Sequence, residues 1–270
     1  MSTKIGLIAG NGKLPHVVMR EAKASGNQVY VCAIKGETHE SVQVLSDACE
    51  WVKLGQLKKV VQFFEKHGVS KVMMAGKITK TNLFKGEIQP DLDMIKLIAK
   101  TPDRKDDTLL GAIADYLGSK GIQLLSSVAF LGELLPKAGV LSKKKPAAQD
   151  LEEIEFGWRM AKEIARLDIG QTVVTKNKAV LAVEAIEGTD QAILRGGELG
   201  KGQVTVVKVA KPNQDMRFDV PTIGLETLER MIRAKVCLLV LEAEKTILLD
   251  RNQFIRKADD QKIIVVAKSS

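Results

Sequence analysis

Apolar positions in the first third of the chain fall into short continuous runs separated by stretches of helical period. KIGLIAG at 4–10 is followed by a stretch from about Leu14 to Ser25 with apolar residues every three or four positions, then by QVYVCAI at 28–34. After a break, LKKVVQFFEKHG and KVMMAGKI repeat the helix and strand patterns. Strand, helix, strand in that order predicts βαβ units and a parallel sheet. A further helix over DDTLLGAIADYLGSKG leads into the apolar run IQLLSSVAFL, where the first domain is expected to finish.

The stretch LPKAGVLSKKKPAAQD interrupts the periodicity with two prolines and a lysine cluster, so the domain boundary is placed within 135–148 and the chain divided into 1–136 and 137–270. Beyond it, LEEIEFGWRMAKEIARL sets Ile154, Trp158, Met160, Ala161, Ile164 and Ala165 near helical spacing, which makes Trp158 a packing residue. QTVVTKNKAVLAVEAI predicts a hairpin turning at Lys176-Asn177-Lys178. A strand in GQVTVVKVAKP ends at Pro212, a helix runs from about Leu225 to Ala234, and CLLVLEAEKTILLDR is expected to form another strand pair. The fold class is therefore α/β: a Rossmann-like parallel-sheet domain, then an α+β domain with a mixed sheet.

Composition narrows the function. No apolar run approaches the ~18 residues a membrane span needs, and Ile5–Ala9 is too short for a signal peptide. A cytoplasmic chain with at most peripheral membrane contact is expected. Cys32, Cys49 and Cys237 are an odd number without CxxC spacing, so neither a disulfide framework nor a thiolate zinc site is indicated. The net charge of +8, from 41 basic against 33 acidic residues, favours an anionic partner. Only 4% of residues are aromatic and no RNP-like strand or zinc-finger spacing is present, which argues against nucleic acid.

The turn Gly10-Asn11-Gly12-Lys13-Leu14-Pro15 follows a strand and opens a helix, where backbone N–H groups and the helix dipole can hold a phosphate. Pro15 stands where the dinucleotide fingerprint wants its third glycine, and Glu37 is badly spaced for a ribose contact, so a nicotinamide enzyme is disfavoured. The same glycines would also serve a plain βα turn. His16, His39 and His67 are isolated along the chain, with no H-E-x-x-H, G-x-S-x-G or Walker motif. Carboxylates and cations concentrate instead in VEAIEGTD, with Glu184, Glu187 and Asp190, and in KPNQDMRFDVP, with Lys211, Gln214, Asp215, Arg217 and Asp219. Hard oxygen ligands beside Lys and Arg suit Mg²⁺ or Mn²⁺ and phosphate chemistry. In an extended strand the two aspartates would stand about 13 Å apart, so sharing one metal requires a turn. A solvated loop explains the same charges, and both readings stand.

GLIAGNGKLP, LDIGQTVVTKNKAVLAVEAIEGTD and KPNQDMRFDVPTIGLET, with ILLDR and Ala258-Asp259 in the tail, resemble the UDP-2,3-diacylglucosamine pyrophosphatases of lipid A biosynthesis that are unrelated to calcineurin-like phosphoesterases. The resemblance runs nearly the whole chain. It implies two domains with the active site between them, and Mg²⁺-dependent hydrolysis to UMP and 2,3-diacylglucosamine 1-phosphate at the inner membrane, with water attacking the phosphorus nearer the sugar. It places catalysis and metal binding on Asp215 and Asp219, with Asp190 as a further ligand. Substrate contacts fall on Gly10, Asn11, Gly12, Leu14, Glu187, Thr189, Gln214 and Arg217, and Lys208 and Lys211 are expected to offset phosphate charge. The partners implied are the UDP-sugar lipid, its lipid product, the membrane in passing and a second copy of the chain. ITKTNLFKGE after Gly76-Lys77 departs from the family pattern, which is richer there in arginine and proline. A binding protein for nucleotide sugars or dinucleotides without hydrolytic activity, or a basic nucleic-acid-binding protein, is the alternative.

Overall fold

The computed structural model describes residues 2–78, 89–101, 106–212, 214–218 and 220–269, leaving out the side chains of Asp106 and Asp107. The chain forms two compact units, one of Met1–Leu131 with Asp215–Asp219, the other of Gly132–Gln214 with Val220–Ser270.

The first unit runs β1 (Lys4–Ala9), α1 (Leu14–Ala24), β2 (Gln28–Ile34), α2 (Ser41–Leu45), β3 (Ala48–Val52), α3 (Leu57–Lys66), β4 (Lys71–Ala75), α4 (Leu92–Lys100), α5 (Asp106–Ser119) and β5 (Gln123–Leu124). The strands form one parallel sheet in the order β3-β2-β1-β4-β5. That is the order of a doubly wound fold, and the direction of winding reverses between β1 and β4. Central strands buried on both faces need unbroken apolar runs, and β1 and β2 supply them. Pro15 opens α1 where no intrahelical N–H is needed, and α3 turns Val60, Val61, Phe63 and Phe64 inward. The expected α/β class with its parallel N-terminal sheet is borne out.

At the reversal, β1 and β4 continue past their ends as a backbone bridge. Asn11 N–H donates to Lys77 O at 2.8 Å and Lys77 N–H to Asn11 O at 2.9 Å. A Cβ on Gly10 would lie 2.7 Å from Lys77 O, and one on Gly76, whose φ is +96°, would lie 2.7 Å from Asn11 O. Both glycines are thus demanded by backbone approach.

The second unit runs β6 (Gly139–Val140), α6 (Ala148–Arg166), β7 (Thr172–Lys176), β8 (Ala179–Val183), α7 (Thr189–Leu199), β9 (Val204–Lys208), β10 (Thr222–Ile223), α8 (Leu225–Arg233), β11 (Val236–Glu242), β12 (Ile247–Leu248), α9 (Arg251–Asp260) and β13 (Ile264–Lys268). Its main sheet is mixed, in the order β6-β13-β11-β9-β7-β8. One face packs Val206, Leu239 and Val265 with Ile193 of α7, Leu228 and Met231 of α8 and Phe254 of α9. The other packs Val207, Val240 and Ile264 with Ile154, Ala161 and Ala165 of α6. Alternation along β9 and β11 therefore feeds two apolar layers.

The hairpin of β7 and β8 turns at Asn177 and Lys178, both with positive φ, as a tight two-residue connection requires. Two sequence expectations need correction, and one helix is unexpected. β11 and β12 are not partners, because β12 pairs in parallel with β10 in a small separate sheet. The stretch read as a linker contributes β6, which joins the main sheet antiparallel to β13. The unexpected helix is α7, opened by Thr189 and Asp190 of EGTD and masked in the sequence by the low helix propensity of Gly196 and Gly197 within it.

Gly10→Ala is expected to destabilise the protein by on the order of 2 kcal/mol, since a backbone oxygen must yield to the new methyl. Urea unfolding checks this; an unchanged midpoint would mean the bridge at Lys77 is soft.

Candidate functional site

At the carboxyl ends of β1, β2 and β3 a cavity of about 510 Å³ is lined by Asn11, Lys35, Gly36, Glu37, Thr38, His39, Glu40 and Trp51. Crevices at this edge of an open parallel sheet are where ligands bind. Thr38 builds the floor: its hydroxyl donates to Ala9 O at 2.5 Å and accepts from Ile34 N–H at 2.9 Å. Glu37, poorly spaced by the dinucleotide pattern, is buried in the wall of this cavity. His16 and His39, apart in sequence, converge on one hydroxyl, with Ser41 Oγ 2.6 Å from His16 Nε2 and 2.7 Å from His39 Nδ1. Burial, and His39 nearby, hold His16 below its ordinary pKa. His67 packs on Tyr30 and Phe63.

Asn11 and Gly12 are exposed beside the N-terminus of α1, and Leu14 is half-buried as its first residue. Gly12 has φ +98° with open space where a Cβ would stand, so its requirement is conformational and a side chain there is strained with or without ligand. A valine at Gly12 would therefore disturb the turn as well as any ligand.

Residues 215–218 of the QDMRF segment are held by the first unit although their sequence neighbours belong to the second. Ser127 N–H donates to Met216 O at 2.8 Å, and Ser127 Oγ lies 2.7 Å from Met74 O and 2.8 Å from Arg217 O. Ser126 Oγ adds a contact to Met216 O at 3.1 Å, and Phe218 enters the core of Tyr30, Phe64 and Leu117. Within the segment Arg217 grips Asp215, with Nε 3.0 and 3.1 Å and Nη2 2.7 Å from the carboxylate oxygens, and the Arg217 N–H donating at 3.0 Å. These bonds hold the Asp215 carboxyl below its usual range. Asp219 lies outside the described residues, as does nearly all of ITKTNLFKGE.

In the second unit the ends of β7, β8 and β9 and the start of α7 enclose a charged cluster. Lys208 is buried, with Nζ 2.7 Å from Thr189 Oγ1, 3.2 Å from Thr172 Oγ1 and 3.8 Å from Glu184 Oε2. Thr189 donates to Glu184 Oε1 at 2.7 Å. Burial pushes Glu184 up, but Lys208 and hydrogen bonds from Thr172, Thr189 and the Gln171 N–H outweigh it and leave the carboxyl below its ordinary pKa. Among the described residues, no hydrogen-bond donor reaches the buried acceptors Glu184 Oε2 and Gln171 Oε1. The sequence names Thr189 and Lys208 and sets Glu184 among carboxylates suited to a metal, without pairing it to Lys208 and without Gln171 or Thr172; the signal available was the pairing of a lysine closing one apolar strand with a glutamate following another.

The other named residues are dispersed. Glu187 pairs with Arg195, Asp190 accepts from Thr227 Oγ1 at 3.0 Å, Lys211 stands 2.7 Å from Asp168, and Gln214 Oε1 lies 3.4 Å from the Lys211 N–H. Among the described residues no three His, Cys, Asp or Glu side chains gather closely enough to hold a metal ion. Asp215 accepts from three Arg217 donors through both oxygens, so an ion at this carboxylate would share it with the guanidinium.

The model of the LpxI N-terminal domain matches residues 4–134, and that of the LpxI C-terminal domain matches 137–266. The chain belongs to the LpxI family. UDP-2,3-diacylglucosamine pyrophosphatase LpxI of Caulobacter vibrioides is 31% identical over 97% of this chain and 96% of its own. Among solved structures, the biotin carboxylase domain of Hydrogenobacter thermophilus 2-oxoglutarate carboxylase aligns at 14% identity over 74% of this chain and 42% of that one, TM-score 0.27. Rhizobium etli pyruvate carboxylase aligns at 13% over 68% and 17%, TM-score 0.30. Likenesses so slight carry no argument about an LpxI chain.

Breaking the Glu184–Lys208 pair should be costly. Lys208→Met leaves a buried carboxylate without its cation and is expected to cost about 3–5 kcal/mol at neutral pH. Because the folded pKa of Glu184 is depressed, its stabilisation is full above the ordinary glutamate value and fades as pH falls through the folded value. The cost of Lys208→Met should therefore shrink on acidification; unfolding curves of parent and variant from neutral pH to about pH 4 measure it, and a pH-independent difference would show that the pair is not coupled.

Proposed function

We propose that the protein hydrolyses the pyrophosphate of UDP-2,3-diacylglucosamine, yielding UMP and 2,3-diacylglucosamine 1-phosphate for lipid A biosynthesis. One observation carries this reading: the two LpxI domain models together span nearly the whole chain, and the relative that bears the activity in its name aligns end to end with it.

The geometry supports a division of labour. The cavity beside β1–β3 suits the uridine end, because Trp51 offers a ring face and the carboxylates of Glu37 and Glu40 accept from ribose hydroxyls. An acidic wall repels phosphate, so the pyrophosphate belongs toward Gly10–Leu14 and the N-terminus of α1, where backbone N–H groups and Lys13 meet it. Asp215, kept ionised by Arg217, is a weak base at neutral pH and suits orientation of the attacking water more than removal of its proton. That leaves proton removal to Asp219. Lys208 acts through Thr189, and Lys211 through the loop it fastens to Asp168.

Mg²⁺ or Mn²⁺ belongs to the proposal because two adjoining phosphates concentrate negative charge, which a divalent ion would offset. No set of ligands among the described residues is assigned to it; its candidate contacts are those the resemblance gives, Asp215, Asp219 and Asp190.

Incubation of the purified protein with the substrate and Mg²⁺ should release UMP, and EDTA should abolish the release. Asp215→Ala and Asp219→Ala should each lower kcat by roughly 10²-fold or more with cooperative melting retained. Intact substrate under every divalent metal, with binding preserved, would favour a nucleotide-sugar binding protein instead.

A further inference from the structure

Helix α4 left no clear trace in the sequence pattern, and its faces are unusual. Its inner side is fastened down. Asp91 caps it by accepting from the Met94 N–H at 2.9 Å and binds the Lys58 N–H of α3 at 2.7 Å, while Asp93 accepts from the Tyr116 hydroxyl of α5 at 2.8 Å. Met94 is buried beneath. The outer side carries Leu92, 73% exposed, Ile95, 50%, and Ile98, 42%.

At about 100° per residue these three, with Ala99 among them, cover roughly 120° of the helix surface. Lys96 and Lys100, both exposed, follow along one border of that arc, and Asp93 on the far side of them is already engaged. A soluble helix keeps its apolar arc inward; α4 is held by its other face and turns this one out. An apolar face bordered by lysines is the geometry of a helix lying in a lipid interface, where the side chains enter the acyl boundary and the ammonium groups meet anionic headgroups. The chain's net charge of +8 is of the complementary sign.

We propose that the outer face of α4 is a membrane-docking surface that seats the protein on an anionic bilayer. The inference rests on the proposed function in one respect: a substrate with two acyl chains resides in a bilayer and has to be met there.

The test is co-sedimentation with vesicles of phosphatidylethanolamine and phosphatidylglycerol, compared with vesicles of phosphatidylcholine alone. The parent should bind the anionic vesicles, and the triple variant Leu92→Gln/Ile95→Gln/Ile98→Gln should bind at least about tenfold more weakly while melting at the parent temperature. Lys96→Gln/Lys100→Gln should lose the preference for anionic over neutral vesicles, and this variant keeps the test decisive should the triple variant fold poorly. UMP release from detergent-dispersed substrate should be unchanged in both variants. Failure of the parent to bind anionic vesicles, or equal binding by parent and triple variant, overturns the proposal. So does a parent that is dimeric by light scattering and a triple variant that is monomeric yet still sediments with vesicles, since the face would then join two copies. A parent that binds vesicles but releases no UMP from dispersed substrate sinks the hydrolase reading alone.

Discussion

Everything that the aspartate segment can do depends on two serines. Residues 215–218 have almost no regular structure of their own, yet their carbonyls at Met216 and Arg217 are taken up by Ser126 and Ser127, which follow the short strand β5. The Ser127 hydroxyl also reaches Met74 O at 2.7 Å, so one buried side chain joins β4, β5 and the returning segment. Phe218 anchors the far end in the apolar core. An irregular loop fixed at both ends by hydrogen bonds and a buried ring loses less entropy on ordering a ligand than a solvated loop would. The grip of Arg217 on Asp215 then sets the orientation of a carboxylate on an already fixed backbone.

Buried charge marks the ends of the strands in the second unit. Glu242, fully buried where β11 ends, takes Lys162 Nζ at 3.0 and 2.9 Å, Lys245 Nζ at 2.9 Å and the Ala210 N–H at 2.8 Å. The last of these bonds fixes the chain as it leaves β9 toward Lys211 and Gln214. Glu184 and Lys208 do the same at the ends of β8 and β9. Desolvating such groups is costly and apolar replacements would often be at least as stable, so their value lies in specifying one path for the backbone. In Glu184 one oxygen is hydrogen-bonded by Thr189 and the other faces Lys208 at 3.8 Å.

The parallel sheet was readable because burial on both faces demands unbroken apolar runs, and KIGLIA and QVYVCAI could satisfy nothing else. The hairpin at Asn177-Lys178 was readable because the residues flanking it alternate and its turn is short. Pairing beyond neighbours was not: nothing in EAEKTILLDR says that Ile247 and Leu248 would leave the β11 direction to join Thr222 and Ile223. Glu242 marks the point, because its buried carboxylate, held by Lys162, Lys245 and the Ala210 N–H, stands at the end of β11, a fact of tertiary contact. The site shows the same limit. Asp215 and Arg217 stand two residues apart and their pairing is local, whereas the convergence of His16 and His39 on Ser41, and of Gln171, Glu184 and Lys208, depends on strand order.

Gly10, Gly12 and Gly76 show how a glycine-rich turn should be weighed. Two of them are accounted for by backbone approach alone, since Lys77 O and Asn11 O occupy the space a Cβ would need. Gly12 has nothing near it and is required only by its positive φ. The turn would thus keep all three glycines with no ligand present, and their occurrence does not argue for phosphate binding. What argues for it is what the turn leaves exposed: Asn11, Gly12 and Lys13 stand in solvent beside the N-terminus of α1, where the N-cap side chain makes no capping bond, at the reversal point of the sheet. The sheet's winding puts a crevice at this edge, and the glycines allow the chain to turn there without covering it.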